Sequence, residues 1–369
     1  MSINDIVMYV IALFLVLGAL DQCLGNRWGL GQAFNNGLMT MGSLALVMIG
    51  IVSLAPVLAS WLIPIVSPLY VAMGADPASF ANTILAVDMG GYALAAEMAH
   101  SQQAGLFSWV FLGTMFGPTL VFTIPVALGI LEKKDHPYFA KGILIGISTI
   151  PVGCFIGGIT AGFDVIMILK NLIIPMLLSI IIMLGLRLFT ELTIRLFKWF
   201  GNGIRLLSLV GLAAIGVETL TGFVIIPNMA PLSVGVQTVG TIAIVLAGAF
   251  PLVAWITKIF KNPLQRAGRL LNIDPSATAG LVASLAHNIP TFTLVKEMEP
   301  RGKVISIAFA VSGSFVLGGH LGFVAGMDKN MVIAMIVGKL AGGISAVIVA
   351  VIAHPTTTNR KIESASKKE

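Results

Sequence analysis

Apolar runs long enough to cross hydrocarbon recur along the whole of this chain, and the first, Met1 to Leu24, begins at its start. A helix needs about 20 predominantly apolar residues for such a crossing. Only 10% of the 369 residues are charged, where a soluble domain carries roughly 25%. A mean hydropathy of +0.97 agrees. No water-soluble core encloses that much apolar surface, so the expected fold class is an all-α polytopic membrane protein. The opening Met-Ser-Ile-Asn-Asp lacks the basic region of a cleaved signal peptide, and the first span is therefore kept.

The net charge of +6 would raise the question of nucleic acid in a soluble protein. Here the basic residues fall in short connections between spans, as the positive-inside rule requires, and no nucleic-acid partner is expected. Cys23 and Cys154 lie far apart in or beside apolar segments, which argues for free thiols, no disulfide and no metal site. Residues 355–369, rich in Ser, Thr and charge, are expected to be a disordered cytoplasmic tail.

Sliding the chain against itself by 198 positions brings Gly42, Ala45, Val47, Gly50 and Leu54 onto Gly240, Ala243, Val245, Gly248 and Leu252. The pair Asp76-Pro77 falls on Asp274-Pro275 without a gap, and Glu97-Met98 lies near Glu297-Met298. A duplication follows, with a first membrane repeat over 1–162, a linker helix over 163–202 and a second repeat over 203–354. Spans are expected at about 4–22, 39–72, 106–131 and 140–160, then 165–190, then 206–226, 236–257, 304–326 and 331–353. The matching segments 78–99 and 276–295 are interrupted. Val87-Asp88-Met89-Gly90-Gly91-Tyr92 puts a carboxylate and two helix-weakening glycines in one. His287-Asn288-Ile289-Pro290 puts an N-capping Asn and a Pro in the other.

Loop charge decides how these segments sit. If both are re-entrant hairpins and the C-terminus is inside, Arg27, Lys133, Lys134, Lys141, Arg195, Lys198, Arg205, Lys258, Lys261, Arg266, Arg269, Lys296, Arg301 and Lys303 all fall on the cytoplasmic side. Lys329 is the basic exception outside. Full spans would put three of those connections outside instead. The expectation is two inverted-topology repeats, about nine transmembrane helices and two re-entrant broken-helix hairpins entering from opposite faces.

Asp88-Met89-Gly90-Gly91, Gly117-Pro118-Thr119 through Ile124-Pro125-Val126-Ala127-Leu128-Gly129-Ile130, His287-Asn288-Ile289-Pro290, Arg301-Gly302-Lys303-Val304-Ile305, His320-Leu321-Gly322-Phe323 and Ile336-Val337-Gly338-Lys339-Leu340 occur in order. Together they resemble the ethanolamine permease family of the bacterial ethanolamine-utilisation system, over about residues 3–353. The resemblance implies a permease of the bacterial plasma membrane that brings ethanolamine to an ammonia-lyase pathway housed in a protein microcompartment, without a cofactor. Members of that family tend to carry an acid before the His-Leu-Gly-Phe run, where this chain has Gly319.

Protonated ethanolamine needs a carboxylate or carbonyls at its ammonium and a neutral donor or acceptor at its hydroxyl. Asp88 is the first candidate, with Gly90 and Gly91 at the break and Tyr92 as a cation–π partner. The alternative for Asp88 is a cap on the second half-helix. Asn288 suits the hydroxyl or the broken backbone. His320 is either a proton carrier or a hydrogen-bonded structural histidine. Lys339 either snorkels or pairs with Asp88 in the empty carrier. Glu218, near the place that matches Asp21, is a second charged candidate, though interfacial placement is simpler, above all for Asp21. Glu97 reads as a solvated carboxylate. Gly42, Gly50, Gly240 and Gly248 read as close-packing positions. Pro56, Pro64 and Pro68 are expected to kink or end helices.

No Walker loop, His-Glu-x-x-His motif or serine–histidine pairing stands out, so no enzyme is expected. The alternatives are a proton- or sodium-coupled carrier of another small polar solute, and a membrane scaffold or sensor for the microcompartment. Membrane lipids are the surrounding partners. Oligomeric state stays open, with a homo-oligomer suggested by analogy to hairpin-containing carriers.

Overall fold

A computed structural model describes residues 2–354; the expected tail at 355–369 lies outside the described residues. Among the described residues every regular element is helical. In chain order they are α1 (Ile3–Cys23), α2 (Leu30–Ala72), the half-helices α3 (Ala78–Ile84) and α4 (Gly91–Met98), α5 (Gln102–Ile130), α6 (His136–Thr160), α7 (Val165–Leu188), α8 (Thr190–Thr221) and α9 (Leu232–Leu270). The half-helices α10 (Pro275–Ser284) and α11 (Asn288–Leu294) follow, then α12 (Pro300–Gly313), α13 (Gly319–Met327) and α14 (Val332–Ala353). Among the described residues eight helices are long and apolar enough to cross a membrane.

The span expected at 304–326 is not one of them. It breaks at Ser314–Gly318, between α12 and α13, and Phe315 takes a left-handed φ of 63°. At the matching place in the first half, α5 runs on through two π-helical stretches, Ser108–Leu112 and Thr119–Thr123. The basic stretches 195–205 and 258–269 are helical rather than loops, inside α8 and α9. The expected linker at 163–202 is divided at Phe189 into α7 and the start of α8. Pro56, Pro64 and Pro68 lie inside α2 and do not end it.

Close approach between helices depends on glycine. A Cβ on Gly50 of α2 would strike the Ser208 carbonyl of α8, and one on Gly248 of α9 would strike the Ile11 carbonyl of α1. Each half thus lodges its second long helix on the first long helix of the other. Gly42 and Gly240 have open space around them, against expectation. A pair missed in the sequence is Gly153-x-x-x-Gly157 of α6 against Gly338-x-x-x-Gly342 of α14, where the Gly153 Cβ position lies 2.7 Å from the Gly338 carbonyl oxygen.

Long-range polar contacts gather the connections at two ends. Lys303 pairs with Asp135 at one end, where the Arg301 guanidinium also donates to the carbonyls of Leu271 and Val351. At the other end Asn171 Oδ1 accepts from the Asp76 N–H and the Ser79 hydroxyl, and the cavity there is also lined by His100, Ser101 and Asp164. Lys329 meets Asp5 at 2.9 Å, joining the start of α1 to the start of α14.

Each interrupted segment is closed at its mouth by the aspartate of the Asp-Pro pair. Asp76 Oδ2 accepts from Ser101 N–H at 3.0 Å, and Asp274 Oδ2 accepts from Glu299 N–H at 3.0 Å, 25 residues on in both cases. Ser108 Oγ donates to the Ala78 carbonyl and Ser306 Oγ to that of Ala277, 198 positions later for each serine. Within each segment the half-helices pack side by side. At 1.5 Å per residue α3 and α4 reach only about 10–12 Å each, well short of a bilayer.

Charge-assisted hydrogen bonds of this kind contribute about 1.5–3 kcal/mol each. Asp76→Ala and Asp274→Ala are both expected to lower the melting temperature in detergent. The larger drop belongs to Asp76, which accepts from Ala78, His100 and Ser101, whereas Asp274 accepts from Ala277 and Glu299. An unchanged melting temperature in both variants would remove the aspartates from this role.

Candidate functional site

The tip of the first hairpin is built by exclusion of side chains. Gly90 has φ 88°, and a Cβ there would run into Ile51 of α2. A Cβ on Gly117 of α5 would strike the Leu85 carbonyl, and one on Gly113 would strike Asn82. Gly91 is similarly confined, 2.7 Å from its Cβ position to the Ala86 carbonyl oxygen. The two glycines expected at the site therefore serve close approach of backbone.

Asp88 stands in the single 3₁₀ turn at that tip, half-buried, between the two half-helices. It does not cap α4, whose N-cap is Gly90 with no side-chain bond. Its carboxylate makes no hydrogen bond to another residue and no ion pair among the described residues. The turn packs on α13, which carries His320. Tyr92 packs edge-on to Trp109 at 5.3 Å and Phe323 at 5.6 Å, so its ring belongs to an aromatic wall beside the tip.

Lys339 of α14 is 1% exposed and, among the described residues, forms no ion pair. Its ammonium donates to the Thr114 carbonyl at 2.5 Å. That carbonyl is free because its helical donor would be residue 118, and Pro118 has no N–H. Lys339 is thus within electrostatic reach of Asp88 and His320 without being bonded to either. The expected Lys339–Asp88 pair is not made in this structure.

The second hairpin turns at 285–287 and is stitched to the break in the following span. Phe315 N–H donates to the Ser284 carbonyl at 3.0 Å and Leu317 N–H to that of Leu285 at 2.9 Å. Gly318 lies against the Ala286 carbonyl. The N-cap of α11 is His287, whose Nδ1 accepts from Ile289 N–H, and the expected cap Asn288 is the first helical residue instead. Asn288 Nδ2 donates to Thr123 Oγ1 at 3.0 Å. The Phe315 ring sits between His287 at 4.7 Å and His320 at 4.9 Å. His320 is 2% exposed, and its Nδ1 has no hydrogen-bond partner among the described residues.

The remaining candidates separate from this centre. Glu218 is half-buried near the end of α8, and no described contact links it to Asp88, Lys339 or His320. Asp21, in the last turn of α1, is buried and accepts from the N–H groups of Trp28, Leu30 and Gly31 to hold the start of α2. Glu97 is exposed, as expected. Cys23 and Cys154 are free thiols, as expected. Sequence reading missed Ser312, Ser314 and Phe315. The only signal was the cluster Ser312-Gly313-Ser314 and Gly318-Gly319, weak helix formers inside an apolar run.

Residues 3–353 match the family described as "Ethanolamine utilisation protein, EutH". Among curated relatives, "Probable ethanolamine permease EutH" of Listeria monocytogenes is 53% identical over 100% of this chain and 98% of its own length. The protein of the same name in Escherichia coli is 41% identical over 99% of this chain and 100% of its own. "Uncharacterized protein YxeR" of Bacillus subtilis is 63% identical over 98% of both chains. No solved structure matches.

A buried ammonium without a counter-ion loses several kcal/mol of hydration, whereas leaving one carbonyl unpaired costs about 1–3 kcal/mol. Lys339→Met, which keeps the volume and removes the charge, is therefore expected to raise the melting temperature in detergent. A fall would mean that the bond to the Thr114 carbonyl outweighs the desolvation of Lys339.

Proposed function

Because this chain belongs to the EutH family of ethanolamine utilisation proteins, we propose that it carries ethanolamine across the membrane as the ammonium ion, with Asp88 as the group that receives the charge. The observation behind this is the state of the Asp88 carboxylate: it is half-buried on a chain break between two half-helices and, among the described residues, is used neither as a cap nor in an ion pair. An ionisable side chain kept in that position is costly and finds its use in transport. Gly90 and Gly91 let the backbone turn beside it, and Tyr92 with Trp109 and Phe323 closes one side with aromatic faces.

The architecture that suits this role is a pair of inverted repeats with re-entrant hairpins. Mouths closed by Asp76 and Asp274 at the same offset support it, as does the gathering of Lys303, Arg301 and Leu271 at one end and Asp76, His100 and Asn171 at the other. The hairpins then enter from opposite faces and meet near mid-depth, where α5 and the break at Ser314–Gly318 receive their tips. The basic end faces the cytoplasm of a bacterium, and α14 ends there. Alternating exposure of Asp88 to the two faces moves the ion, and no bond of the solute is made or broken.

Uptake of labelled ethanolamine into proteoliposomes, at two pH values with no imposed gradient, tests the reading. Saturable uptake is expected in the wild type. In Asp88→Asn uptake at subsaturating substrate falls by roughly ten- to a hundredfold, matching the loss of a charge-assisted contact of about 1.5–3 kcal/mol. If uptake stays absent when proton and sodium gradients are added, the scaffold or a different solute replaces ethanolamine transport. Undiminished uptake in Asp88→Asn removes Asp88 from the path.

A further inference from the structure

Seven buried side chains carry a polar atom with no hydrogen-bond partner among the described residues, and four of them lie on, or within two residues of, the two chain breaks of the second half: Asn288 Oδ1, Ser312 Oγ, Ser314 Oγ and His320 Nδ1. All four residues are at most 2% exposed. The other three, Ser53 Oγ, Asn82 Oδ1 and Asp135 Oδ2, are scattered over α2, α3 and the connection before α6. Buried polar atoms without partners are rare, because each gives up its water without a replacement. Four on two segments that are hydrogen-bonded to one another call for a common occupant.

We propose that these breaks form a hydroxyl-recognition pocket that selects amino alcohols over simple alkylamines; this rests on the reading of Asp88 as the ammonium partner. A hydroxyl donates one hydrogen bond and accepts up to two. Asn288 Oδ1 accepts only, the serine hydroxyls donate or accept, and His320 Nδ1 does either according to tautomer. Donor and acceptor demand are both met by that set. Asn288 is already oriented by its bond to Thr123, which leaves its oxygen as the free end. His320 is held by the Phe315 ring, and Ser312 is pressed on Gly342, whose Cβ position is 3.1 Å from the serine Oγ. His320 sits one residue into α13, the helix on which the Asp88 turn packs, so one helix carries the hydroxyl subsite and faces the turn that holds the charge. Phe315 and Phe122, ring centroids 5.9 Å apart, supply apolar surface for the carbons.

Asymmetry between the halves supports the division of labour. The first hairpin brings a carboxylate and a closely packed tip. The second brings no acid at its tip, and the span after it is broken where α5 is continuous.

The test is competition against labelled ethanolamine uptake in proteoliposomes by unlabelled ethanolamine, ethylamine and 3-amino-1-propanol. Ethylamine keeps the ammonium and lacks the hydroxyl, so it is expected to compete about a hundredfold less well or worse, since a site built for a hydroxyl strongly rejects an analogue that leaves it unpaired. 3-Amino-1-propanol is expected to fall between the two. In Ser314→Ala, and separately in Ser312→Ala, the ethanolamine-to-ethylamine ratio is expected to shrink by about tenfold or less per serine while competition by ethylamine itself holds. Wild-type uptake that needs Asp88 but is competed equally by ethylamine overturns the pocket and leaves the permease standing. Absence of ethanolamine uptake overturns both. The wild-type series needs no variant to fold, so the pocket is tested even if the serine variants are lost.

Discussion

Backbone N–H and C=O groups released by a helix break have no water to turn to inside hydrocarbon, and the centre of this protein is arranged around satisfying them. The break at Ser314–Gly318 does so by lying along the tip of the second hairpin, where Ser284 and Leu285 accept from Phe315 and Leu317. The carbonyl freed by Pro118 is met by the Lys339 ammonium. At the hairpin mouths, Asp76 and Asp274 take up N–H groups at both ends of each interrupted segment. Each repair fixes a broken segment against a neighbour, so the breaks are held in place and are sites of definite geometry.

Glycine makes those repairs reachable. Backbone at the first tip comes against Gly113 and Gly117 of α5, and α6 meets α14 through Gly153, Gly157, Gly338 and Gly342. The second contact also sets Lys339 where it can reach across to Thr114, one position from Gly338 on α14. Packing through small residues is how membrane helices gain contact when lipid is as apolar as their side chains. Here it brings a buried cation, an uncapped carboxylate and a histidine to one region.

Contacts at one offset recur along the chain, and the side chains around them differ. Mouth aspartates and the serines at 108 and 306 repeat at one offset. Asp88 has no acidic counterpart on the second tip, and the π-helical stretch at Thr119–Thr123 faces a full break at Ser314–Gly318.

The sequence alone determined the class of fold, the positions of most spans and the two interruptions, because run length, charge placement and the residues Gly, Pro and Asp act through local and solvent-level physics. Asp88 was legible as an acid at the break of the first interrupted segment, and the repeated Asp-Pro pair at 76 and 274 marked the segments that fold back on themselves. The break at Ser314–Gly318 was not legible, since an apolar run with small residues reads equally well as a helix. Nor were the roles of His287, Asn288, His320 and Lys339, whose bonding depends on partners such as Thr123, 165 residues away from Asn288, and Thr114, 225 residues away from Lys339. Whether a buried polar atom is capped, paired or left open is settled by which distant backbone lands beside it, and only the tertiary structure decides that.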